Sequence, residues 1–429
     1  MKGKLSSRRA LVIGLGKSGC AAARLLLHCG IRVAAVDENL KKNQSSFEVK
    51  ELISQGLDLI MPSRINHINR FDLFVISPGI PQNNSWYRAA RATGFEVFGE
   101  VELACRLSSQ KMFAITGTNG KTTVTMMVEH VLKNCGILAK AVGNVGSPIC
   151  DLLLRGFHGI AIVELSSFQL ETMTTKAFDA AVLLNITADH LDRYASLKAY
   201  AQAKFRIQDC LKEEGKFFVE KKTATFWKRH FRRVYHAFGN QLEENIEYFL
   251  PVRYRGVRGY ERENLVAAYS LCREAGVSPL DFAKALNGFE KPPHRVEFVR
   301  MIKGVAYFDD SKATNIDAVI KAVESLSGRV ILIAGGLDKG LSYSLWKEAF
   351  KGKVSCICAI GQTAERMAQE LEKKDYVKIF DSLEAAIKHA YELAKPGDNV
   401  LLSPGCSSFD MFRDYVHRGK EFKRFVQQL

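Results

Sequence analysis

The sequence is poor in the features that mark secreted and membrane proteins. Its ten cysteines are scattered over 429 residues with no CxxC pair, and Cys356 and Cys358 alternate with apolar residues as in a strand. Scattered thiols in a chain of this length are typical of a reduced, intracellular protein. No apolar run approaches the ~20 residues of a membrane span, and glycines interrupt the apolar residues after Arg8 and Arg9, which argues against a signal peptide. We therefore expect a cytoplasmic protein without membrane insertion.

The sequence also lacks a recognisable nucleic-acid-binding motif, although its net charge is +15. A basic surface attracts nucleic acids, membranes or small anions. The densest basic cluster, residues 228–233, is explained more simply as a solvated helix face, so we expect no nucleic-acid partner. Hydrophobic residues make up 47% of the chain, which favours packed cores over disorder, and the length predicts about three domains.

One stretch combines a strand, a glycine-containing loop and a helix. The apolar residues 112–115 lead into the sequence GTNGKTT, and a helical pattern follows. Backbone N–H groups and the dipole at such a helix N-terminus bind phosphate oxygens. Lys121 would reach terminal phosphates, and the Thr122 hydroxyl suits Mg²⁺. Ile115 stands where a glycine is usual, so this is a shortened phosphate loop; a plain turn before a helix is the alternative. The predicted phosphate-binding residues are Gly117, Thr118, Asn119, Gly120, Lys121, Thr122 and Thr123.

A second nucleotide-binding pattern lies near the N-terminus. A buried strand at residues 10–16 contains the start of the motif GLGKSG, and after a helix the strand 32–36 ends at Asp37. Taken alone, this βαβ unit predicts a dinucleotide site. Tight strand–helix packing and binding of another nucleotide diphosphate remain open as alternatives. A later strand, residues 73–77, ends near Gly79, where a ligand can approach the backbone closely.

Three polar residues follow the phosphate loop in places that suit a site. Glu164 ends the predicted strand 159–163, where a carboxylate beside a phosphate loop suits Mg²⁺. His190 follows the strand 180–186 closely, which favours a site residue over a structural histidine. Lys204 lies in the next helix, and from the residues alone it would be an ordinary surface lysine.

The C-terminal part alternates strands and helices again. Its predicted strands, at 305–308, 330–334, 356–360 and 400–403, all end in glycine or polar residues. This layout is typical of an open α/β sheet that binds ligands over its carboxyl ends.

We therefore expect an α/β protein of three domains. An N-terminal Rossmann-like domain covers residues 1–105, and a phosphate-loop domain with a mostly parallel sheet covers 106–291. A C-terminal Rossmann-like domain covers 292–429, after the stiff Pro292-Pro293 linker. Residues 212–258 are basic and aromatic and indicate no chemistry.

Together these stretches resemble the Mur ligases of peptidoglycan synthesis, over nearly the whole chain. GTNGKTT also fits folylpolyglutamate synthase, but three segments look specifically like the D-glutamate-adding member: SSFQL, DHLDRY and DSKATN. The segments that carry the resemblance are GLGKSG at 14–19, SPGI at 77–80, TGTNGKTT at 116–123, GNVG at 143–146, ELSSFQLE at 164–171, NITADHLDRY at 185–194, PHR at 293–295, DDSKATN at 309–315, GGLDKG at 335–340 and LLSPGCSSFDMF at 401–412.

The resemblance implies an ATP-dependent acid–amino-acid ligase. In that reaction ATP phosphorylates the carboxylate of UDP-N-acetylmuramoyl-L-alanine, and the amine of D-glutamate attacks the acyl phosphate. Because two anions approach each other, nearby cations must offset their repulsion. The resemblance also implies two Mg²⁺ ions and a carbamylated Lys204, whose oxygens a hard cation prefers to an amine. The implied catalytic residues are Lys121, Glu164, His190 and Lys204, and the implied metal ligands are Thr122, Glu164, His190 and Lys204.

The same resemblance implies three sets of binding residues in a monomeric enzyme. The UDP substrate is expected at Gly16, Lys17, Ser18, Asp37, Gly79, Asn144, Ser166 and Gln169. Beyond the phosphate loop, ATP is expected at Asn264, His294, Arg295, Asp310 and Lys312. D-Glutamate has two carboxylates, which need cations and hydroxyl donors, and it is expected at Thr314, Lys339, Ser408 and Tyr415. The chain departs from the family at Glu261, where an asparagine is usual, and at Tyr415, where a phenylalanine is usual.

Three other functions remain open from the sequence. The nearest is another ligase of the same family that uses L-alanine, a diamino acid or a folate. An NAD-dependent dehydrogenase would suit the N-terminal glycine motif and Asp37, but it leaves GTNGKTT, Glu164 and Lys204 unexplained. A basic nucleic-acid-binding ATPase is the third.

Overall fold

The computed structural model describes residues 9–39, 46–239, 241–242, 246–371 and 376–429. These residues contain three β-sheets flanked by helices. The expected α/β fold of three domains is confirmed. No helix in these ranges is both long and apolar enough to span a membrane.

The N-terminal sheet has five parallel strands in the order β3-β2-β1-β4-β5. From β1 the strand order proceeds to β2 and β3 on one side and to β4 and β5 on the other. This order is typical of a Rossmann-like fold, in which a ligand binds at the carboxyl ends of the strands beside the point where the order switches. Its elements are β1 Arg9–Ile13, α1 Lys17–His28, β2 Arg32–Val36, α2 Phe47–Ser54, β3 Asp58–Ile60, a 3₁₀ helix Pro62–Arg70, β4 Leu73–Ile76, α3 Ser85–Ala92, β5 Glu96–Gly99 and α4 Glu100–Leu107.

The central sheet has six parallel strands in the order β11-β10-β9-β6-β8-β7. Its elements are β6 Met112–Thr116, α5 Lys121–Asn134, β7 Ala139–Gly143, α6 Ile149–Leu154, β8 Ile160–Glu164, α7 Ser167–Leu170, β9 Phe178–Leu183, α8 Leu197–Phe205, β10 Leu211–Glu220, α9 Lys221–Phe226, β11 His236–Phe238, α10 Gly259–Glu274 and α11 Pro279–Ala285, with 3₁₀ helices Arg206–Cys210, Lys228–His230, Glu247–Phe249 and Val252–Tyr254. The sequence predicted a mostly parallel sheet, and the described strands are parallel throughout.

The C-terminal sheet has six strands in the order β12-β13-β17-β14-β15-β16, and only the β12–β13 pair is antiparallel. Its elements are β12 Glu297–Ile302, β13 Val305–Asp309, α12 Ile316–Ser325, β14 Val330–Gly335, α13 Trp346–Ala349, β15 Val354–Ile360, α14 Ala364–Leu371, β16 Val377–Phe380, α15 Leu383–Leu393, β17 Asn399–Leu402 and α16 Tyr415–Gln427.

The inner strands are continuous apolar runs because helices cover both faces of a parallel sheet. All five residues of β6 and of β8 are buried. Strand β10 differs, since polar residues interrupt its apolar ones and three of its ten residues are exposed. This mixed pattern explains why residues 212–258 gave no strand prediction, although they supply β10 and β11 at one edge of the central sheet.

The chain divides into two compact units. The first comprises Met1–Ile186 with Ala201–Phe289, and the second comprises Thr187–Tyr200 with Glu290–Leu429. The short segment 187–200 therefore belongs with the C-terminal sheet, although it lies within the range predicted for the central domain. The domain boundaries near residues 105 and 291 stay predictions. All ten cysteines lie in the described ranges, and none forms a disulfide.

Candidate functional site

The phosphate loop leaves β6 and enters α5, as predicted. Gly117 and Gly120 have φ angles of 155° and 88°, which side chains with a Cβ rarely adopt. A Cβ on Gly117 would also lie 2.8 Å from the Cβ of Leu184. The two glycines therefore allow a sharp loop whose backbone is held close to the neighbouring strand.

Asn185, just after β9, holds this loop in place. The Asn185 carbonyl accepts from the Thr118 N–H at 2.8 Å. Its side-chain oxygen accepts from the Asn119 N–H at 2.8 Å, and its side-chain nitrogen donates to the Asn119 carbonyl at 3.1 Å. We did not single out Asn185 from the sequence, although the segment 185–194 that carries the family resemblance begins with it.

Two predicted catalytic lysines meet at one carbonyl oxygen. Lys121 Nζ donates to Gly117 O and to Thr118 O, both at 2.9 Å. Lys204 Nζ donates to the same Gly117 O at 2.8 Å, and its side chain is buried. The sequence alone suggested a surface lysine at position 204, and only the family resemblance selected it. The structure places it beneath the phosphate loop, where an ordinary surface lysine would not lie.

Glu164 ends β8 and is paired in register with Ile115 of β6. Asn144 Nδ2 donates to Glu164 Oε1 at 2.8 Å. The other oxygen, Oε2, is buried and has no hydrogen-bond partner among the described residues. A buried carboxylate with one oxygen held and one left open suits a hard cation such as Mg²⁺. Thr122 lies half-buried in the first turn of α5, so the residues present fit the predicted ion.

Two side chains of α10 lie over the last glycine of the loop. A Cβ on Gly120 would overlap Asn264 Oδ1 and would lie 2.7 Å from the Tyr260 hydroxyl. Asn264 Oδ1 is buried and has no hydrogen-bond partner within the described part of the chain. An open acceptor beside a phosphate loop suits a nucleotide group. Tyr260 was not among the residues that we chose from the sequence.

The N-terminal glycine loop opens at the start of α1. Gly16 is the N-cap of α1, and Lys17 begins the helix; Gly16 and Lys17 are exposed, whereas Ser18 is half-buried. Asp37, the residue after β2, accepts the Leu15 N–H at 2.6 Å, so this carboxylate holds the glycine loop in place. Backbone N–H groups at the N-terminus of a helix this long suit a diphosphate.

The remaining residues predicted to bind the UDP substrate lie in the same unit. Gly79 is exposed after β4, and Asn144 is exposed after β7. Ser166 and Gln169 form a capping box at the start of α7, where Ser166 Oγ accepts from the Gln169 N–H. Gln169 Oε1 accepts from the Ser166 N–H at 2.9 Å. These two side chains therefore already have partners in α7.

His190 lies in the second unit, and Asp189 connects it with Lys339. The Asp189 carboxylate lies 3.2 Å from Lys339 Nζ and 3.7 Å from His190 Nε2. Burial acts to raise the pKa of Asp189, but the charges of Lys339 and His190 outweigh it and hold that pKa below its usual value. A predicted metal ligand and a predicted D-glutamate residue thus share one buried carboxylate. That His190 joins Lys121, Glu164 and Lys204 stays a prediction.

Predicted ATP and D-glutamate residues also meet around Tyr415. Lys312 Nζ lies 4.1 Å from the centre of the Tyr415 ring. The ring of His294 lies 6.1 Å from it, edge to face. Asp310 is buried, and burial raises its pKa to about 7, although it accepts a hydrogen bond from Ser403. Arg295 is half-buried beside His294.

Two other predicted D-glutamate residues lie on loops of the second unit. Thr314 is half-buried before α12, and Ser408 is buried after β17. Arg418 of α16 is buried nearby and donates to the carbonyls of Cys406 and Ser407. Burial lowers the pKa of Arg418 to about 10. We missed this buried cation because nothing in the local sequence of α16 distinguishes it from surface arginines.

Comparison with known proteins adds evidence over nearly the whole chain. Residues 8–99 match the MurD-like N-terminal domain of Mur ligases, 115–249 match the Mur ligase middle domain, and 294–406 match the glutamate ligase domain of Mur ligases. A protein of Protochlamydia amoebophila named UDP-N-acetylmuramoylalanine–D-glutamate ligase is 45% identical over 98% of both chains. The chain belongs to the Mur ligase family. It is therefore a ligase, and the dehydrogenase and nucleic-acid-binding ATPase are set aside.

Other Mur ligases agree with this membership. A protein of the same name from Caldanaerobacter subterraneus is 36% identical over 99% of both chains. Among solved structures, the Mur ligase fold of this chain is similar to that of MurF from Thermotoga maritima in complex with ADP, with a TM-score of 0.59 at 17% identity over 100% of both chains. It is equally similar to the UDP-N-acetylmuramate–alanine ligase of Thermotoga maritima, with a TM-score of 0.59 at 15% identity over 98% and 100% of the two chains.

Proposed function

We propose that this Mur ligase uses ATP to join D-glutamate to UDP-N-acetylmuramoyl-L-alanine in the cytoplasm, through an acyl phosphate, and that it acts as a monomer. The proposal is supported mainly by the phosphate loop, where Lys121 and Lys204 both donate to the Gly117 carbonyl. The same domain contains Glu164, whose Oε2 has no hydrogen-bond partner among the described residues. The choice of D-glutamate rests on the relatives of that name that match the chain end to end.

In the proposed reaction, Lys121 binds the terminal phosphates of ATP, and the loop from Gly117 to Thr123 holds the triphosphate through the N–H groups that do not donate to Asn185. Thr122, Glu164, His190 and Lys204 are the proposed ligands of two Mg²⁺ ions. When bound, these ions offset the repulsion between the γ-phosphate and the substrate carboxylate. Asn264, His294, Arg295, Asp310 and Lys312 complete the proposed ATP site.

Carbamylation of Lys204 has a physical reason in this site. As ammonium groups, Lys121 and Lys204 bring two positive charges within hydrogen-bond distance of a single oxygen, and like charges this close repel. The Lys204 ammonium loses a proton to give the free amine, whose nitrogen forms a bond to the carbon of CO₂ and releases a second proton. One of these cations is thereby replaced by a carbamate anion that carries oxygen ligands. The same change would supply a ligand type that Mg²⁺ prefers.

The other two substrates have proposed sites in the N-terminal and C-terminal domains. The UDP end of the sugar nucleotide binds at Gly16, Lys17, Ser18 and Asp37, with Gly79 and Asn144 nearby, and Ser166 and Gln169 face the muramoyl-alanine part. Lys339, Thr314, Ser408 and Tyr415 bind D-glutamate, because a cation and hydroxyl donors complement its two carboxylates.

The test is ADP release from ATP with UDP-N-acetylmuramoyl-L-alanine and a panel of amino acids. We expect D-glutamate to give at least about 100-fold more ADP than L-glutamate, L-alanine or a diamino acid, because a site built to bind specific polar groups rejects ligands that lack them. The Lys121→Ala variant should release none with any amino acid. No response to D-glutamate, with a response to another amino acid, would identify a different ligase of the family.

A further inference from the structure

A network of charged groups surrounds His294 in the second unit. His294 is 4% exposed, and its φ of 63° is uncommon for a residue with a side chain. Its Nδ1 lies 2.6 Å from Oδ2 of Asp309, the last residue of β13, which is fully buried. The other Asp309 oxygen accepts the Ser311 N–H at 2.9 Å. The imidazole is thus fixed at one nitrogen by a carboxylate that is itself held.

A lysine from α16 balances the charge of this network. Lys423 Nζ lies 2.6 Å from Glu297 Oε1 and 3.7 Å from Asp309 Oδ2. The second Glu297 oxygen accepts the backbone N–H of His294 at 2.8 Å. His294, Glu297 and Asp309 bring potential metal-binding atoms within 4.8 Å of one another, but the Lys423 ammonium already supplies a cation there. The cluster is therefore explained without a metal.

Helix α16 packs closely against the imidazole ring of His294. A Cβ on Gly419 would overlap His294 Nδ1 and would lie 2.8 Å from Asp309 Oδ2. On another side, the Tyr415 ring packs edge to face with the imidazole. The packing fixes the plane of the ring, and the hydrogen bond to Asp309 selects the orientation in which Nδ1 faces that carboxylate.

This arrangement determines where the imidazole carries its proton. A carboxylate oxygen only accepts hydrogen bonds, so Nδ1 must be the donor, and in the neutral ring Nε2 is then an acceptor. No group in the described part of the chain hydrogen-bonds to Nε2. The other charged groups near this loop are Arg295, the buried Asp310, which accepts the Val296 N–H, and Lys312, whose N–H donates to the His294 carbonyl.

We propose that Asp309 is a positioning residue that holds His294 as the Nδ1–H tautomer, so that Nε2 accepts a hydrogen bond from an N–H or O–H group of the nucleoside part of ATP. The identity of the ligand rests on the proposed function, whereas the tautomer does not. In many proteins a carboxylate accepts a hydrogen bond from one ring nitrogen of a histidine and thereby fixes the tautomer in which the other ring nitrogen binds a ligand.

The first test is the ¹⁵N spectrum of the full-length protein labelled at histidine, without nucleotide. The chain has ten histidines, and the signal that disappears in His294→Gln identifies the ring. We expect the Nδ1–H pattern in the wild type and in Glu297→Gln, because the hydrogen bond between Glu297 and His294 involves the backbone N–H and not the ring. In Asp309→Asn the Nε2–H form should appear, since an amide can also donate to Nδ1. An Nε2–H pattern in the wild type would overturn the proposal, even if the variant does not fold.

The second test is steady-state kinetics of Asp309→Asn. We expect its KM for ATP to rise about tenfold, the value of one ordinary hydrogen bond, with kcat and the KM for D-glutamate changed by less than about twofold. Asp381→Asn, the same change at an exposed position of this unit, should leave all three unchanged. A lower kcat with an unchanged KM for ATP would show that Asp309 is only structural. A wild type that binds no ATP would refute the proposed function and leave the tautomer result standing.

Discussion

Lys204 is the residue whose surroundings change its interpretation most. Its position in α8 gives no reason to expect burial, yet its amine lies under the phosphate loop and donates to Gly117 O. Burying a lysine ammonium is costly unless its charge is compensated or removed. Carbamylation would replace the positive charge of Lys204 by a negative charge on oxygen atoms, which are the ligands that Mg²⁺ prefers.

We predict that Lys204→Ala lowers kcat by at least about 100-fold, the usual loss when one electrostatic contact to the transition state is removed. Bicarbonate should not restore activity, because no amine remains to react with CO₂. The measurement is ADP release, with circular dichroism to verify folding. Lys198→Ala changes an exposed lysine of the same helix and should keep wild-type activity. Full activity of Lys204→Ala would refute the carbamate role.

Glu100 gives a prediction about stability and pH. It is fully buried, Oε1 accepts the Cys150 N–H at 2.7 Å, and Oε2 has no hydrogen-bond partner within the described residues. Burial raises the pKa of Glu100 from 4.5 to about 7. The folded state therefore keeps a proton that the unfolded state releases, so stability falls as pH rises from about 4.5 to 7.

We expect Glu100→Gln, which is always neutral, to gain stability relative to the wild type as pH rises from 5 to 8, by up to about 3 kcal/mol. Urea unfolding at each pH measures the difference. Glu102→Gln is the control, because its effect on stability should change with pH in the opposite direction. Burial acts to raise the pKa of Glu102, but hydrogen bonds from Thr175, Thr174 and Arg106 outweigh it and lower that pKa. Its carboxylate should therefore stabilise at neutral pH, and this benefit should be lost as pH falls.

At the scale of elements, the phosphate loop is held by a residue that follows a neighbouring strand. Asn185 reaches it from the end of β9 with both atoms of its amide. We predict that Asn185→Ala raises the KM for ATP about tenfold, because the loop N–H groups lose their fixed positions. Asn134→Ala, at the far end of α5, should leave the KM unchanged. A KM for ATP that stays at the wild-type value in Asn185→Ala as well would show that the loop keeps its shape without Asn185.

Helix α1 depends on close packing against β1 and β4. A Cβ on Gly19 would overlap Gly14 O and would lie 2.8 Å from Ser77 Oγ. We expect Gly19→Ala to destabilise the protein by about 1–3 kcal/mol, the usual cost of overpacking, and to weaken binding of the UDP substrate. Thermal unfolding and a UDP-substrate titration measure the two effects. Gly239→Ala, where a Cβ has no neighbour closer than 3.8 Å, should change neither.

At the scale of the whole molecule, nucleotide binding should be visible as stability. A ligand that binds only the folded state at 100 times its Kd stabilises by about 2.7 kcal/mol. We predict that ATP with Mg²⁺ raises Tm, that NAD does not, and that Lys121→Ala loses the ATP effect. Differential scanning fluorimetry measures all three. A rise in Tm with NAD alone would support the dinucleotide interpretation of the N-terminal glycine motif.

The sequence by itself determined the fold class and most of the phosphate loop, because the signals for them are local. Buried parallel strands are uninterrupted apolar runs, so β2 begins and ends at the predicted residues, Arg32 and Val36. The glycine spacing and Lys121 likewise lie within one short segment. Strand β10 was missed for the same reason, since its polar residues break the apolar run that a prediction needs.

Only the tertiary structure decided which distant residues meet. Asn185 contacts the loop from 66 residues away, and Lys204 reaches Gly117 from 87 residues away. Asp309 orients His294 across the turn between two strands, and the segment 187–200 joins the C-terminal unit. No periodicity or spacing encodes such contacts, because they arise when strands that are distant in the chain become neighbours in a sheet.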